Sequence, residues 1–404
     1  MVKAHGDSVD MPAWECITHS PIYRTSGANT ALTIEVLPST HLPTFLMAAS
    51  AIDFPPMSHP WGDTLPAPGG LLTLRPGLHW VRMPLPFALN HINLWALDDA
   101  HEGQPSWTVV DAGVATEAIR TLWQTLWAGP LAAKPLSRML VTHMHPDHVG
   151  NAQWLIDNFS GAQPARLWMS AADHLAATLA CRETTGYGGD RAADYFESHG
   201  LSHPEGMAKI RERGGYYASM VPSVPYAYRR LMDGMHVQMG ERSWQCLAGY
   251  GHAPEHMALY NERDGLLISG DMLLPRISTN VSVTDMEPEA DALGLFLASL
   301  ERMTALPADT LALPSHGLPF TGIHTRIQQL KDHHRDRLDD VLTACRQRPC
   351  SAADMLPILF QRSLDLHQTT FAMGEAVAHL NHLWHLGQLR RGQDTHGVWR
   401  FEAV

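Results

Sequence analysis

Between Thr142 and Gly150 the chain reads Thr-His-Met-His-Pro-Asp-His-Val-Gly, with three imidazoles and a carboxylate in the six positions from His143 to His148. Neutral imidazole and carboxylate are the side chains that divalent zinc, iron and manganese accept. The residues Met139 to Thr142 read as a short buried strand, which puts the cluster on the loop where that strand ends. His143 and His145, two apart on extended chain, point to one side. Asp147 and His148 follow after Pro146 has turned the chain and approach from another direction. Two adjacent metals suit that arrangement better than one. The plainer reading is a His-rich surface turn in a chain that holds 25 His, and the spacing argues against it.

The pattern His-x-His-x-Asp-His resembles the signature of the metallo-β-lactamase-fold hydrolases. The resemblance implies further ligands at later strand ends: a Gly-His turn, a bridging Asp and a last His. The chain offers all three in order. Gly251-His252 follows the run Trp244 to Leu247, Asp271 follows Leu266 to Gly270, and His316 follows Leu311 to Ser315. Asp111, after Trp107 to Val110, matches a family position whose carboxylate orients a ligand His. Carried over by position, His143, His145 and His252 would hold a first metal. Asp147, His148 and His316 would hold a second, with Asp271 bridging and Asp147 also orienting the nucleophile. This set of five His and two carboxylates, without thiolate, fits zinc best and also suits iron or manganese. Asp271 stands where the antibiotic-hydrolysing lactamases usually carry Cys or Ser. That departure favours the thioesterase, lactonase, nuclease and phosphodiesterase branches.

Composition limits the partners. With 404 residues, 45% hydrophobic and 17% charged, the chain has the makings of a large core and room for two domains. A net charge of -12 disfavours nucleic acid and anionic membranes. Cys16, Cys181, Cys246, Cys345 and Cys350 are odd in number and lack a scaffold spacing, so a reducing cytoplasm is the expected compartment. Met1 to Asp10 has no secretory pattern, and no apolar run approaches the ~20 residues of a membrane span.

Around the ligands the elements are expected as follows. Residues 1–70 form an extension, with a candidate strand at Leu32 to Val36 and a Pro/Gly-rich linker up to Gly70. The catalytic domain spans 71–330. Its opening strands lie at Leu71 to Leu74, His79 to Met83 and Ile92 to Leu97, and a helix covers Ala171 to Leu179. An insertion at about 181–235 carries tyrosines with Arg211, Arg213, Arg229 and Arg230, and is read either as a substrate lid or as ordinary surface helices. Arg276 and His256 flank the ligands and are candidate substrate groups; Arg276 otherwise pairs with a nearby acid to pin its loop, and for His256 the preferred reading is a structural one, as a donor to a backbone carbonyl. A helix over Ile323 to Leu342, whose His324, His333 and His334 are expected in solvent, leads from the catalytic domain into residues 331–404. A second helix covers Thr370 to Leu386, and two short strands follow. That order resembles a winged helix. From residue 351 onward four arginines face five acids, so this end is read as a cap on the catalytic domain rather than a DNA reader.

The expectation is therefore a four-layer αβ/βα sandwich with a winged-helix-like C-terminal domain. Two divalent metals would generate hydroxide to attack a carbonyl near neutral pH. The resemblance to glyoxalase-II-like and lactamase-beta-2-like proteins implies an acyl-thioester of the glutathione or coenzyme A type. A lactone is the alternative, and single-stranded RNA is disfavoured by charge. A homo-oligomer stays open.

Overall fold

The structure is a computed structural model that describes residues 54–87, 89–183, 186 and 188–404. The candidate strand at 32–36 lies outside the described residues. The first sheet has seven strands in chain order: β1 (Leu71–Arg75), β2 (Leu78–Pro84), β3 (His91–His101), β4 (Gln104–Val110), β5 (Leu136–Leu140), β6 (Arg166–Ser170) and β7 (Tyr228–Leu231). Strands β1 to β4 pair antiparallel, and β4 to β7 pair parallel. The second sheet has five strands in the order β12-β11-β10-β9-β8, built from β8 (His236–Met239), β9 (Arg242–Gly249), β10 (His256–Asn261), β11 (Leu266–Gly270) and β12 (Leu311–Pro314). The parallel pairs need crossovers, and helices supply most of them. These are α1 (Glu117–Ala128), α2 (Pro146–Val149), α3 (Ala152–Phe159), α4 (Ala171–Ala180), α5 (Gly189–Ser198), α6 (Pro204–Glu212), α7 (Tyr216–Met220) and α8 (Ala292–Met303).

Alternation along the strands sorts side chains into layers. In β3, Trp95 and Leu97 face the second sheet, where they pack with Trp80, Trp168 and Trp244. Ile92, Leu94 and Ala96 face outward, onto Ile119 and Trp123 of α1 and Leu155 of α3. The outer face of the second sheet, including Ala258, Leu267 and Ala312, packs on Phe296 and Leu300 of α8 and on the C-terminal helices. The four-layer αβ/βα sandwich expected from the sequence is thus the observed fold.

The C-terminal helices are α9 (Ile323–Gln347), α10 (Ala352–Leu359) and α11 (Leu366–His385), followed by a ribbon of β13 (Leu389–Gln393) and β14 (Trp399–Ala403). Ser351 and Asp354 form a reciprocal capping box at α10, and Asp365 with Gln368 forms another at α11. The second box starts α11 four residues before the expected Thr370. Helix α11 covers the middle of α9, so His334 is fully buried beside His379 rather than solvated. The segment 228–231, expected within an insertion, is instead the edge strand β7. Its Tyr-Arg-Arg-Leu sequence buries only Leu231, which left no period for a sequence reading to find. The 54–70 linker lies against the start of α9: Ser58 and Thr321 exchange backbone hydrogen bonds, and Thr325 Oγ1 donates to the Pro55 carbonyl at 2.7 Å.

Candidate metal centre

Every predicted ligand sits just past a strand end or in the turn that follows it. His143 and His145 leave β5, and Pro146 opens the short helix α2 that carries Asp147 and His148. His252 lies in the β9–β10 turn, Asp271 follows β11, and His316 follows β12. Two groups of ligand-type atoms result, each within 4.8 Å: His143, His145, His252 and Asp271 in one, and Asp147, His148 and His316 in the other.

Hydrogen bonds assign the imidazole protons. His252 Nδ1–H donates to the Asn280 carbonyl at 2.7 Å, and His316 Nδ1–H to the His91 carbonyl at 2.8 Å. His148 Nδ1–H donates to Asp111 Oδ2 at 2.8 Å. The Thr142 hydroxyl donates to Asp111 at 2.9 Å, which leaves its oxygen to accept His143 Nδ1–H at 3.0 Å. These partners leave the Nε2 lone pairs of all four rings aimed at the site.

In the first group His143 Nε2, His145 Nδ1 and His252 Nε2 stand 2.9, 3.1 and 3.2 Å apart. With two of the three lacking a proton, hydrogen bonding cannot satisfy that triangle. A tetrahedral zinc with Zn–N bonds of 2.0–2.1 Å spaces its nitrogens by ~3.3 Å, so the donor set fits a cation. Among the described residues, His148 Nε2 of the second group and the Asp271 Oδ1 that faces it are buried without a hydrogen-bond partner, the kind of orphan that an ion would satisfy. Asp271 lies between the groups. Its Oδ2 is 3.4 Å from His252 Nε2, and its Oδ1 is 3.4 Å from His316 Nε2 and 3.6 Å from His148 Nε2. Asp147 Oδ2 is 3.4 Å from His316 Nε2.

The two groups differ electrostatically. Burial, reinforced by the neighbouring imidazoles, holds His143 and His145 well below the usual imidazole range. Burial pushes His148 and His316 down too, but Asp111, Asp147 and Asp271 overcome it at His148, and Asp271 with Asp147 at His316, so both are raised. Burial would raise Asp271, yet His316 and His148 hold it well below the carboxylate range.

Several supporting residues escaped the sequence reading. Asp173 is buried and accepts the backbone N–H groups of Met144 at 2.8 Å and Glu255 at 2.6 Å, tying both ligand loops together. Asn93 donates to the carbonyls of Pro314 and Gly317 at 2.8 and 2.9 Å, holding the His316 loop onto the first sheet. The Ser170-x-x-Asp173 spacing was the one available signal, a helix-start pattern. Asp111, which the sequence reading did place behind a ligand His, adopts a φ of 62°, uncommon for a non-glycine residue, and its carboxylate orients His148 and Thr142.

His256 and Arg276 do not line the cavity above the ligands. His256 is buried beneath it, where Nε2 accepts the Asp271 N–H at 3.2 Å. Gly270 makes this possible, because any Cβ there would collide with the His256 ring. Arg276 is exposed. Of the four arginines singled out in the 181–235 segment, Arg211 is paired with Asp194 and Glu197, Arg229 stacks on Trp168, and Arg230 is exposed on β7. Only Arg213 of the four lines the cavity, which measures about 1300 Å³ and has Asp147, His145, His252, Asp271 and His316 in its wall.

This sandwich and this floor of ligands define a metallo-hydrolase class, and comparison with known proteins agrees. The chain belongs to the metallo-beta-lactamase superfamily, whose family model matches residues 102–165 and 172–316. A second model, described as the metallo-beta-lactamase-like C-terminal domain, matches residues 338–404. The chain is 26% identical over 314 residues to a Bacillus subtilis (strain 168) protein named "Probable metallo-hydrolase YqjP", covering 74% of this chain and 90% of that protein. Among solved structures it is similar to a beta-lactamase domain protein from Burkholderia ambifaria, with 50% identity, a TM-score of 0.81, and coverage of 86% of this chain and 98% of that one. A metallo-beta-lactamase family protein from Thermus thermophilus matches with 28% identity and a TM-score of 0.68, covering 82% of this chain and all of that one. The superfamily binds divalent metals, and the chain is a metal-dependent hydrolase of this class. No helix among the described residues is long and apolar enough to cross a membrane.

Proposed function

We propose that the chain is a dinuclear hydrolase that cleaves an acyl-thioester at this centre. His143, His145 and His252 would hold one metal and Asp147, His148 and His316 the other, with Asp271 shared. The observation that carries the reading is Asp271, which presents one oxygen to each group between inward-facing imidazole lone pairs. Two divalent cations, read as zinc, would supply Lewis acidity and a hydroxide nucleophile near neutral pH.

The chain's own residues do the rest. Asp111 and the carbonyls of Asn280 and His91 fix the tautomers, so the imidazoles arrive with lone pairs already oriented. Asp147 lines the cavity and can orient the attacking water. Leu85, Phe87, Met220, Leu274, Val283 and Phe371 offer an apolar wall suited to an acyl chain. Part of that wall comes from residues 360–375, which supports reading the winged-helix-like end, within a 331–404 domain, as a cap that also borders substrate.

The test is to quantify the metals in the purified protein and then to assay acyl-thioesters, lactones and single-stranded RNA side by side. Thioester turnover that is abolished by chelation and restored by metal is expected. Lactone turnover without thioester turnover would reassign the substrate, and full activity after verified removal of all metal would sink the mechanism.

A further inference from the structure

We propose that Arg213 and Tyr216, held in place against His367, form a subsite for an oxyanion, carboxylate or phosphate, on the carrier portion of the substrate. The inference deepens the thioesterase reading and rests on it for the word substrate. The anion site itself stands on the geometry.

Arg213 closes the C-terminal end of α6, and its guanidinium lies over the Tyr216 ring, 4.2 Å from the centroid. It donates to His367 Nδ1 at 3.2 Å, and the Tyr216 hydroxyl reaches the same nitrogen at 3.3 Å. Two donors therefore share one imidazole lone pair, which can serve only one of them well. Burial, with Arg213 adding to it, lowers the His367 pKa and keeps that ring a neutral acceptor. The ring is held between Phe87, stacked at 5.8 Å, and Phe371, edge-on at 4.9 Å.

Among the described residues no carboxylate answers the charge of Arg213. Arg211, two residues earlier, has three carboxylates around it. Among the described residues Arg213 forms no ion pair, yet it faces the cavity that leads to the metal centre. Arg362 lies on the same wall, donates to Gln368 Oε1 at 2.8 Å, and likewise forms no ion pair among them. The nearby Asp365 is engaged in capping α11, where it accepts the Gln368 N–H at 2.8 Å. A guanidinium has five N–H donors in a fork that matches carboxylate or phosphate. A cavity wall that is otherwise largely apolar lowers the local dielectric and strengthens such a pair.

Arg213 is thus a binding residue that would grip a thiol carrier while the acyl carbonyl lies at the metals. The two sources of such an oxyanion are separable, because glutathione offers carboxylates and coenzyme A offers phosphates.

The experiment uses the metal-loaded full chain and isothermal calorimetry with glutathione and coenzyme A as separate probes. One of them should bind with an affinity that falls as salt rises. Arg213→Gln should weaken it on the order of tenfold or more, as expected for a lost hydrogen bond to a charged group. Arg213→Lys should recover part of the loss, and Tyr216→Phe should cost less. Unchanged metal content and melting temperature separate this from a folding defect, and Arg213→Lys with Tyr216→Phe carries the test if Arg213→Gln does not fold. If neither carrier binds, or if the variants bind as the wild type does, the subsite is wrong. Binding needs no turnover, so a protein that binds a carrier through Arg213 but hydrolyses none of its thioesters would refute the proposed substrate and leave the subsite standing.

Discussion

The floor of the cavity and its roof are built on opposite principles. On the floor, seven ligand-type side chains come from strand-end loops of both sheets, and partners behind the imidazoles decide where their protons sit. On the roof, residues from α6, α7 and α11 meet through helix packing, and the key approach is steric. Gly374 of α11 lies so close to Ser282 that a Cβ would stand 2.8 Å from it. The floor is fixed by partners behind the imidazoles, namely Asp111, the His91 carbonyl on β3 and the Asn280 carbonyl, whereas the roof is set by how closely α11 approaches the loop after Asp271, where Val283 N–H donates to the Gly374 carbonyl at 3.1 Å. Chemistry and selectivity should therefore break separately.

The largest effect is expected at the shared carboxylate. Asp271→Ala removes the group that faces both clusters and takes from His148 and His316 one of the carboxylates that face them, leaving Asp111 and Asp147 at His148 and Asp147 at His316. Activity should fall on the order of a thousandfold or more, with loss of bound metal, as several kcal/mol of charge stabilisation disappears. Steady-state kinetics and elemental analysis of the same sample check it. Retention of both metals with near-normal turnover would mean that Asp271 is not shared.

One step behind the ligands the effect should be smaller but still confined to the floor. Asp111→Asn keeps the shape and removes the charge that His148 Nδ1–H donates to. Metal affinity should drop about 10–100-fold, the usual cost of losing a partner behind a ligand. Competition with a chelator of known affinity measures it, and carrier binding at the roof should not change.

The same contrast explains what the sequence revealed. The floor was legible because the cluster from His143 to His148 resembles a family signature, and that resemblance directed attention to His252, Asp271 and His316, each of which follows a short apolar run. The roof was not. Arg211 and Arg213 are the same residue type two positions apart, and only the orientation of α6 sends one to three acids and the other to the cavity. Arg276 looked well placed by its distance in sequence from Asp271, yet the loop turns it out to solvent. His256 fitted a structural role, but as an acceptor from the Asp271 N–H rather than as a donor to a carbonyl. Residues 360–375 join the cavity wall from far along the chain, a long-range contact that no local pattern encodes.

Gly374→Ala tests the steric basis of the roof. The added methyl must push α11 away from Ser282, at a cost of roughly 1–3 kcal/mol for overpacking. The melting temperature should fall and KM should rise, while metal content stays constant. An unaltered KM would show that the roof does not contact substrate.

The smallest effect is expected at Glu375, the next residue on α11, and its sign is informative. Its carboxyl lines the cavity, with Asn280 Nδ2 at 3.4 Å as its hydrogen-bond partner. Burial raises its pKa to about 7, and the Asn280 contact and Arg337 offset this only in part. A carboxyl with a raised folded-state pKa binds its proton more tightly when folded, so its contribution favours folding below the unfolded value near 4.5. That contribution is lost as pH climbs through about 7 and stays lost above it. Glu375→Gln, which cannot ionise, should therefore melt like the wild type at pH 4.5 and be more stable at pH 8, by on the order of 1–2 kcal/mol. Asn280 joins this carboxyl to the floor, since its carbonyl accepts from His252, and Gln keeps an oxygen for Asn280 Nδ2, so metal affinity should remain at the wild-type value across the same range. A variant less stable than the wild type at pH 8 would mean that the carboxylate form is the one the roof accommodates, and that the wall beside Asn280 is wetter and more polar than its lining implies.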